Sequence, residues 1–303
     1  MEKRNQAENI FHPLPGGRIE ANDFKRPPNQ AVEKRLNTGE GEVYYYVKGG
    51  FPGRPAALLL HGLSANHTTW EKTAETLCKL KINCVLLDLR GHGHSDKKKK
   101  KSLYTFKRFS RDIELILRNE KIEKVIIVGY SFGGSLALDF SLRHPERAAG
   151  LVLLSANHVN PLKYWRLPFL IPLAKIGIGL LSYLVIWQKR KQYSYYRPIS
   201  SKGYWKSVWL GFKTMPWSIN LWMLLMMGRL DLKNKLAKIK APVWIVHALR
   251  DPFVSRAEIN DMIALLPNAR EIVSKNHNHF LATAAADEMT EIIINFLREN
   301  FRI

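Results

Sequence analysis

Short runs of apolar residues alternate along the chain with longer stretches in which apolar residues recur every three or four positions. The runs are typical of buried strands, and the stretches are typical of amphipathic helices. Because strands and helices alternate at short spacing, the predicted fold class is α/β, a mostly parallel, doubly wound sheet with helices on both faces. The predicted strands are 56–60, 84–87, 124–128, 149–154, 242–247 and 270–273, and the predicted helices are 68–80, 104–119, 134–144, 256–266 and 284–300.

The alternation begins late and is interrupted once. Residues 1–30 are polar and contain several prolines and glycines, so we expect a flexible N-terminal arm without the apolar segment of a signal peptide. A hairpin, 32–36 with 42–47, then leads into the sheet. We therefore expect one core built from 31–155 and 241–303, with 156–240 as an insertion. The two cysteines, Cys78 and Cys84, predict buried thiols and, with the missing signal peptide, a cytoplasmic location.

The sequence Gly129-Tyr130-Ser131-Phe132-Gly133 lies between a predicted strand and a predicted helix. In that setting G-x-S-x-G indicates a nucleophile elbow, a sharp turn that exposes the serine hydroxyl. The strained backbone of such a turn requires small neighbours, which Gly129 and Gly133 provide. The amide of Phe132, at the start of the helix, is placed to stabilise an oxyanion.

Three further pieces accompany this turn, the last of them made of two segments, and each segment follows a predicted strand. His61-Gly62-Leu63 follows the strand 56–60, and the loop from Asp88 to Ser95 follows the strand 84–87. Asp251 lies four residues beyond His247, and the late segment 276–280 contains His277 and His279.

Together, and in the order in which they follow one another along the chain, the four pieces resemble the α/β-hydrolase superfamily. The resemblance covers roughly 32–155 and 241–300, and implies Ser131 as nucleophile, Asp251 as acid and His279 as base. His277 is the alternative base, but His279 is followed by Phe280-Leu281, as the family pattern favours. The glycine that usually precedes the catalytic histidine is replaced by Asn278.

The chemistry follows from these residue types. A histidine can take the proton of a serine hydroxyl and return it to the leaving group, while an aspartate holds the imidazole tautomer. The amides of Leu63 and Phe132 are the predicted oxyanion hole. We expect no cofactor and no metal, because the spacing of the histidines does not match a zinc site. The residues predicted to bind substrate are His61, Gly62, Tyr130, Trp165 and Phe253.

The resemblance also limits the reaction. Dehalogenases and epoxide hydrolases of the superfamily carry an aspartate at the elbow, where this chain has Ser131. The expected activity is therefore hydrolysis of a carboxylic ester or related acyl compound, with a hydrophobic group, through an acyl-enzyme. Hydrolysis of a carbon–carbon bond and acyl transfer would use the same triad. A membrane-associated binding protein on the same scaffold is the non-enzymatic alternative.

The insertion 156–240 has an unusual composition. There is no Asp or Glu between Arg147 and Arg229, and the stretch 167–187 is almost wholly apolar. Six of the eight tryptophans lie in the insertion: Trp165, Trp187, Trp205, Trp209, Trp217 and Trp222. The resemblance implies a helical cap whose apolar faces pack over the active site. A cap that also sits on an anionic bilayer and a transmembrane span at 167–187 are the alternatives.

The net charge of +21 over 303 residues favours anionic partners. An anionic membrane surface is the candidate that the composition of the cap suggests, and the protein would then be peripheral at the membrane. The lysines at 97–101 are expected to form a solvated loop. We expect no nucleic-acid partner, because no RNA-binding motif accompanies the basic residues and aromatic residues.

Overall fold

The chain is described from a computed structural model, which covers residues 31–161, 171–186, 215–275 and 277–301. The predicted arm at 1–30 lies outside the described residues. The same is true of Trp165, Trp187, Trp205 and Trp209.

An eight-stranded sheet forms the centre of the molecule, in the order β1-β2-β4-β3-β5-β6-β7-β8. The hairpin β1–β2 is antiparallel, β2 pairs antiparallel with β4, and all other pairs are parallel. The strands are β1 (Val32–Asn37), β2 (Glu42–Lys48), β3 (Ala56–Leu60), β4 (Asn83–Asp88), β5 (Val125–Tyr130), β6 (Ala148–Leu154), β7 (Val243–Ala248) and β8 (Ala269–Ser274).

Helices cover both faces of this sheet, as the alternating pattern predicts. One core cluster joins the sheet to α2, α3 and α6, and the second joins the opposite face to α1 and α8. The helices are α1 (Glu71–Lys79), α2 (Phe106–Asn119), α3 (Phe132–Arg143), α4 (Ile171–Leu184), α5 (Trp217–Met227), α6 (Arg256–Leu265), α7 (Leu281–Ala284) and α8 (Ala286–Phe301). The prediction of a doubly wound α/β fold is confirmed.

Two of the predicted helices are each divided into two elements in the structure. The helix predicted at 68–80 begins as a 3₁₀ turn, His67–Trp70, because the side chain of Asn66 accepts the Thr68 amide and closes a tighter turn. The helix predicted at 284–300 is divided into α7 and α8 at Ala285. Both cysteines are free and buried, as expected.

The insertion contributes α4 and α5, which pack against each other between β6 and β7 in the chain. Most of α5 is buried, and its Ile219 and Met223 contact the loop at Gly91. By contrast, α4 presents large apolar side chains to solvent. Among the described residues, no helix is long and apolar enough to span a membrane.

Candidate active site

The elbow places Ser131 between the end of β5 and the first residue of α3, with φ of 51° and ψ of −113°. A residue with a side chain rarely adopts this backbone, so the surroundings must enforce it. They do so by close packing. A Cβ on Gly133 would lie 2.3 Å from the Leu60 carbonyl oxygen, and one on Gly129 would lie 2.5 Å from the Gly133 carbonyl oxygen. Only glycine fits at either position.

Three side chains predicted from the sequence meet at this turn. His279 Nε2 lies 3.0 Å from Ser131 Oγ. His279 Nδ1 lies 2.9 Å from each carboxylate oxygen of Asp251. Because an ionised carboxylate only accepts hydrogen bonds, Nδ1 carries the proton and Nε2 is free to accept the serine hydroxyl. The structure brings His279 to Ser131, whereas His277 lies near Ser274 and Glu288.

The side chain of Asp251 is only 1% exposed, but several donors surround its carboxylate. Its Oδ1 accepts the amides of Phe253 at 2.9 Å and Val254 at 3.1 Å, in addition to the His279 ring. Burial by itself would raise the pKa of Asp251, but the hydrogen bonds from His279 and Phe253 outweigh it and the pKa is lowered. The carboxylate therefore stays ionised and can stabilise a positive charge on His279.

The loop that carries Asp251 is fixed by a buried group that the sequence reasoning missed. Asn157 Nδ2 donates both to the Phe253 carbonyl and to Glu258 Oε2, and Glu258 Oε1 accepts the His158 amide at 3.0 Å. This carboxylate thus joins α6 and the Asp251 loop to the segment after β6. The sequence contains a signal, Ser255 three residues before Glu258, which predicts a capping box. The Ser255 hydroxyl does cap α6, but the Glu258 side chain turns to Asn157 and His158 instead.

The loop after β3 approaches the serine closely. A Cβ on Gly62 would lie 3.0 Å from the Tyr130 ring and 3.6 Å from Ser131 Cβ, so the backbone of the predicted oxyanion loop lies against Ser131. Phe132 is the first residue of α3, and its amide has no acceptor within that helix. Ser64, which follows Leu63, has a φ of 61°, and its hydroxyl donates to Asn220 Oδ1 on α5 at 2.5 Å. The insertion therefore holds one side of this loop.

His61 is placed to hold the oxyanion loop. Its Nε2 accepts the Leu89 amide at 3.1 Å, and its Nδ1 lies 2.7 Å from the Gly62 carbonyl oxygen, to which it donates. Burial lowers the pKa of His61 to about 4, so the ring is neutral at physiological pH. Because both nitrogens bond to backbone groups, we assign His61 a role in positioning the loop, which differs from the substrate contact expected from the sequence.

The loop after β4 is anchored from within by the side chains of Asp88 and Arg90. Asp88 accepts the His67 amide and the His94 amide, and it lies 2.8 Å from His67 Nδ1. Burial would raise the pKa of Asp88, but the contact with His67 outweighs it and lowers the pKa to about 2. Arg90 forms two hydrogen bonds with Asp112, at 2.9 and 2.7 Å.

The remaining predicted substrate contacts differ in their placement. The exposed Phe253 ring packs edge-on against His279, with ring centroids 4.8 Å apart. Tyr130 is buried beneath Gly62, and its ring centroid lies 5.7 Å from that of His279. Trp165 lies outside the described residues.

An α/β sheet with a serine at a strained strand-to-helix turn, and a histidine and an aspartate in line behind it, defines the α/β-hydrolase class. The comparison of the sequence with known families agrees. Residues 55–282 match the family described as alpha/beta hydrolase fold. Because this match covers most of the chain, the protein belongs to that family.

Relatives that share part of the sequence include proteins of several kinds. The uncharacterized protein Rv2715 of Mycobacterium tuberculosis is 36% identical over 106 residues, which are 35% of this chain and 30% of that protein. Epoxide hydrolase 4 of Mus musculus is 29% identical over 154 residues, which are 47% of this chain and 43% of that protein. The chain thus spans less than half the length of each of these curated relatives.

Solved structures resemble almost the whole fold. An esterase from Exiguobacterium antarcticum superimposes with a TM-score of 0.67 and 18% identity, covering 88% of this chain and all of that one. The enol-lactonase from Burkholderia xenovorans gives a TM-score of 0.67 and 20% identity, covering 87% of this chain and 99% of that one. At these identities the likeness establishes the fold alone.

Proposed function

We propose that this protein is a serine hydrolase that cleaves a carboxylic ester or a related acyl compound through an acyl-enzyme. The observation that carries the proposal is the line of hydrogen-bond distances from Ser131 through His279 to Asp251, at 3.0 and 2.9 Å. These distances are within the range needed for proton transfer from a nucleophile to a general base.

In the first half of the reaction, Ser131 Oγ attacks the acyl carbon while its proton passes to His279 Nε2. The ionised Asp251 stabilises the imidazolium that forms. The negative charge on the former carbonyl oxygen is received by the amides of Phe132 and Leu63. Collapse of this intermediate breaks the bond from the acyl carbon to the leaving oxygen, which takes the proton from His279 and departs as an alcohol.

In the second half, a water molecule attacks the acyl-serine and gives a proton to His279. The bond from the acyl carbon to Ser131 Oγ then breaks, the proton returns to Oγ, and the carboxylic acid is released. Apart from the substrate and this water molecule, these steps use only the side chains and amides named here.

One feature of the site supports a substrate with a hydrophobic part, and a second supports an acyl group as the reacting part. The exposed Phe253 ring lies against His279, where it can contact the substrate beside the reacting bond. The relative from Mus musculus is named an epoxide hydrolase, but the elbow of this chain carries Ser131 in place of the aspartate that the resemblance implies for that reaction.

Labelling with a fluorophosphonate probe tests the proposal directly, because the probe reacts with a serine only when a base and an oxyanion hole are assembled. We expect the wild-type protein to be labelled and Ser131→Ala to remain unlabelled. Ser135→Ala is the matched control, since Ser135 is buried on α3 and donates to the Asn157 carbonyl. Equal labelling of wild type and Ser131→Ala, or no labelling of folded wild type, would contradict the proposal.

Product analysis then separates hydrolysis from the other reactions of the same triad. With p-nitrophenyl esters of medium chain length, we expect release of the free acid and the phenol in equal amounts. An acyl group transferred to an added alcohol would instead identify an acyltransferase. Cleavage only of substrates with a carbon–carbon bond beside a ketone would identify a carbon–carbon hydrolase.

A further inference from the structure

Helix α4 exposes its apolar side to solvent and buries its polar side, which is the reverse of what a helix on a protein surface usually does. Leu173 is 64% exposed, Leu180 is 63% exposed and Leu184 is 77% exposed, whereas Ser182 is fully buried. We call the exposed apolar side of this helix the outer face of α4. It consists of Leu173, Ile176, Leu180, Leu181, Tyr183 and Leu184.

The inner side of α4 packs against α5. Ser182 donates to the Gly179 carbonyl at 2.6 Å, and the Lys175 side chain reaches Gly228 at the end of α5. The polar side chains therefore face the protein. At 100° per residue, the outer face covers about 160° of the helix circumference, which is wider than the apolar stripe that many helices bury.

A face of this width is costly in water, and contiguous exposed apolar patches mark interaction sites. The charge around it identifies the kind of partner. Lys99 Nζ donates to the Ile186 carbonyl at 2.8 Å, so Lys99 reaches the residues just after α4, and the other lysines of 97–101 are its neighbours in the chain. Lys98, Lys100 and Lys101 are exposed, and none of these three pairs with a carboxylate in the described part of the chain.

We propose that the outer face of α4 inserts into the surface of an anionic lipid bilayer, with Lys98, Lys100 and Lys101 on the lipid headgroups. An apolar helical face beside a group of lysines is the arrangement that interfacial helices use. With 14 residues, α4 lies in the plane of the interface. The absence of any Asp or Glu from 148 to 228 removes repulsion between the insertion and such a surface. This inference does not depend on the proposed reaction.

Cosedimentation with vesicles tests the proposal without any activity measurement. The vesicles are pure phosphatidylcholine or phosphatidylcholine with about 30% phosphatidylserine. We expect wild type to pellet with the anionic vesicles at least tenfold more tightly than with the neutral ones. Binding should weaken steeply as salt is added, because the lysines lie within a Debye length of the headgroups.

Two variants separate the apolar contribution from the charge. Leu173→Gln/Leu180→Gln/Leu184→Gln keeps good helix formers and should bind at least tenfold more weakly. Lys98→Gln/Lys100→Gln/Lys101→Gln should bind about 100-fold more weakly at low salt, at about 1 kcal/mol for each lysine. The matched control is Lys79→Gln/Lys124→Gln/Lys240→Gln, three exposed lysines that precede β4, β5 and β7, and it should bind within about threefold of wild type.

Three results would overturn the proposal, provided that circular dichroism shows each variant to be folded. The first is failure of wild type to bind anionic vesicles. The second is wild-type binding by the leucine variant, which would mean that charge alone attracts the protein. The third is a wild-type dimer in size-exclusion chromatography that the leucine variant converts to a monomer, which would assign the outer face to a second copy of the chain.

Discussion

Ser131 adopts a backbone conformation that few residues other than glycine tolerate, and it does so because the residues around it leave no alternative. Its amide donates to the Leu154 carbonyl at 2.8 Å, and its carbonyl accepts the amides of Gly134 and Ser135. These bonds hold the turn at both ends, so the hydroxyl points toward His279 before any substrate binds. Such preorganisation lowers the free energy needed to reach the reacting geometry.

The two neighbouring histidines should contribute very differently to activity. His279→Gln removes the proposed base from Ser131, and we expect kcat to fall by a factor on the order of 10⁴. His277→Gln removes only contacts to Ser274 and Glu288, so kcat should stay within about tenfold of wild type. Steady-state kinetics with one ester checks both. A larger loss in the His277 variant would give that residue the role of base.

The buried His61 should make stability depend on pH. Its pKa in the folded protein is about 4, below the ordinary value of 6.5, so the unfolded chain takes up a proton first as the pH falls. The contribution of the neutral His61 ring to the free energy of unfolding is therefore fully present above about pH 6.5 and is lost as the pH falls toward 4. Between about pH 7 and about pH 5, His61 should account for a loss of about 2 kcal/mol in the free energy of unfolding.

Urea unfolding of wild type and His61→Gln at the two pH values measures this loss. The variant should be less stable at both, since it weakens the bond to Leu89, but its stability should fall less between them. Parallel pH dependences of the two proteins would show that His61 does not titrate in this way.

Sequence reasoning selects residues that local patterns mark, and the structure brings the three selected side chains together. Ser131 is marked by its flanking glycines, and Asp251 and His279 by their positions after predicted strands. Asn157 and Glu258 carry no such mark, because they meet across 101 positions of the chain and Glu258 also fits a local capping pattern. Only the fold shows which of its two roles that carboxylate has.

At the scale of elements, the packing of β5, α3 and β3 decides which glycines can change. Gly133→Ala would force a Cβ to within 2.3 Å of the Leu60 carbonyl oxygen, and we expect it to lower the free energy of unfolding by about 3 kcal/mol. Gly177→Ala is the matched control. It lies on the exposed side of α4 with no atom within 4 Å of a Cβ, so alanine should be neutral or stabilise by up to about 1 kcal/mol.

Chemical unfolding of the two variants beside wild type checks this pair. Equal effects at the two positions would mean that the turn relaxes around the added methyl group. The Gly133 variant should also lose fluorophosphonate labelling, because a shifted turn moves Ser131 away from His279.

Element boundaries were largely predictable, but the environment of each element was not. Strands β3 to β8 are within two residues of the predicted ranges, because each is a short apolar run between turn residues. The two apolar helices of the insertion, α4 and α5, look alike in sequence, yet α5 is buried and α4 is exposed. Periodicity cannot separate them, since a helix that is apolar almost all round has no polar face to show which side meets water.

For the whole molecule, the net charge of +21 is the dominant electrostatic quantity. Like charges repel more strongly in the compact state than in the expanded chain, so screening them should favour folding. We expect added sodium chloride to raise the midpoint of urea unfolding. The salt effect should be smaller in Lys79→Gln/Lys124→Gln/Lys240→Gln, which removes three of the charges. A midpoint that falls with salt would show that attractive pairs dominate.

For the molecule as a whole, the sequence predicts the fold class but not the order of the strands in the sheet. Alternation along the chain indicates a parallel sheet with helices on both faces, and family resemblance indicates the site at its carboxyl edge. The order of the strands in the sheet could not be predicted in this way. Strand β4 pairs with β2 and β3, and β5 pairs with β3, but no local pattern in the sequence encodes these neighbours. These neighbours are set by contacts between residues far apart in the chain.

The hydrogen bond from Ser64 to Asn220 has a consequence for attempts to simplify this protein. It connects the loop that carries the Leu63 amide to a helix supplied by the insertion. Cutting the insertion out to obtain a smaller protein would delete Asn220, the acceptor of this hydrogen bond from the Ser64 hydroxyl. A minimal version of this hydrolase scaffold therefore has to retain α5, or supply a new carboxamide at the position of Asn220, before its size is reduced.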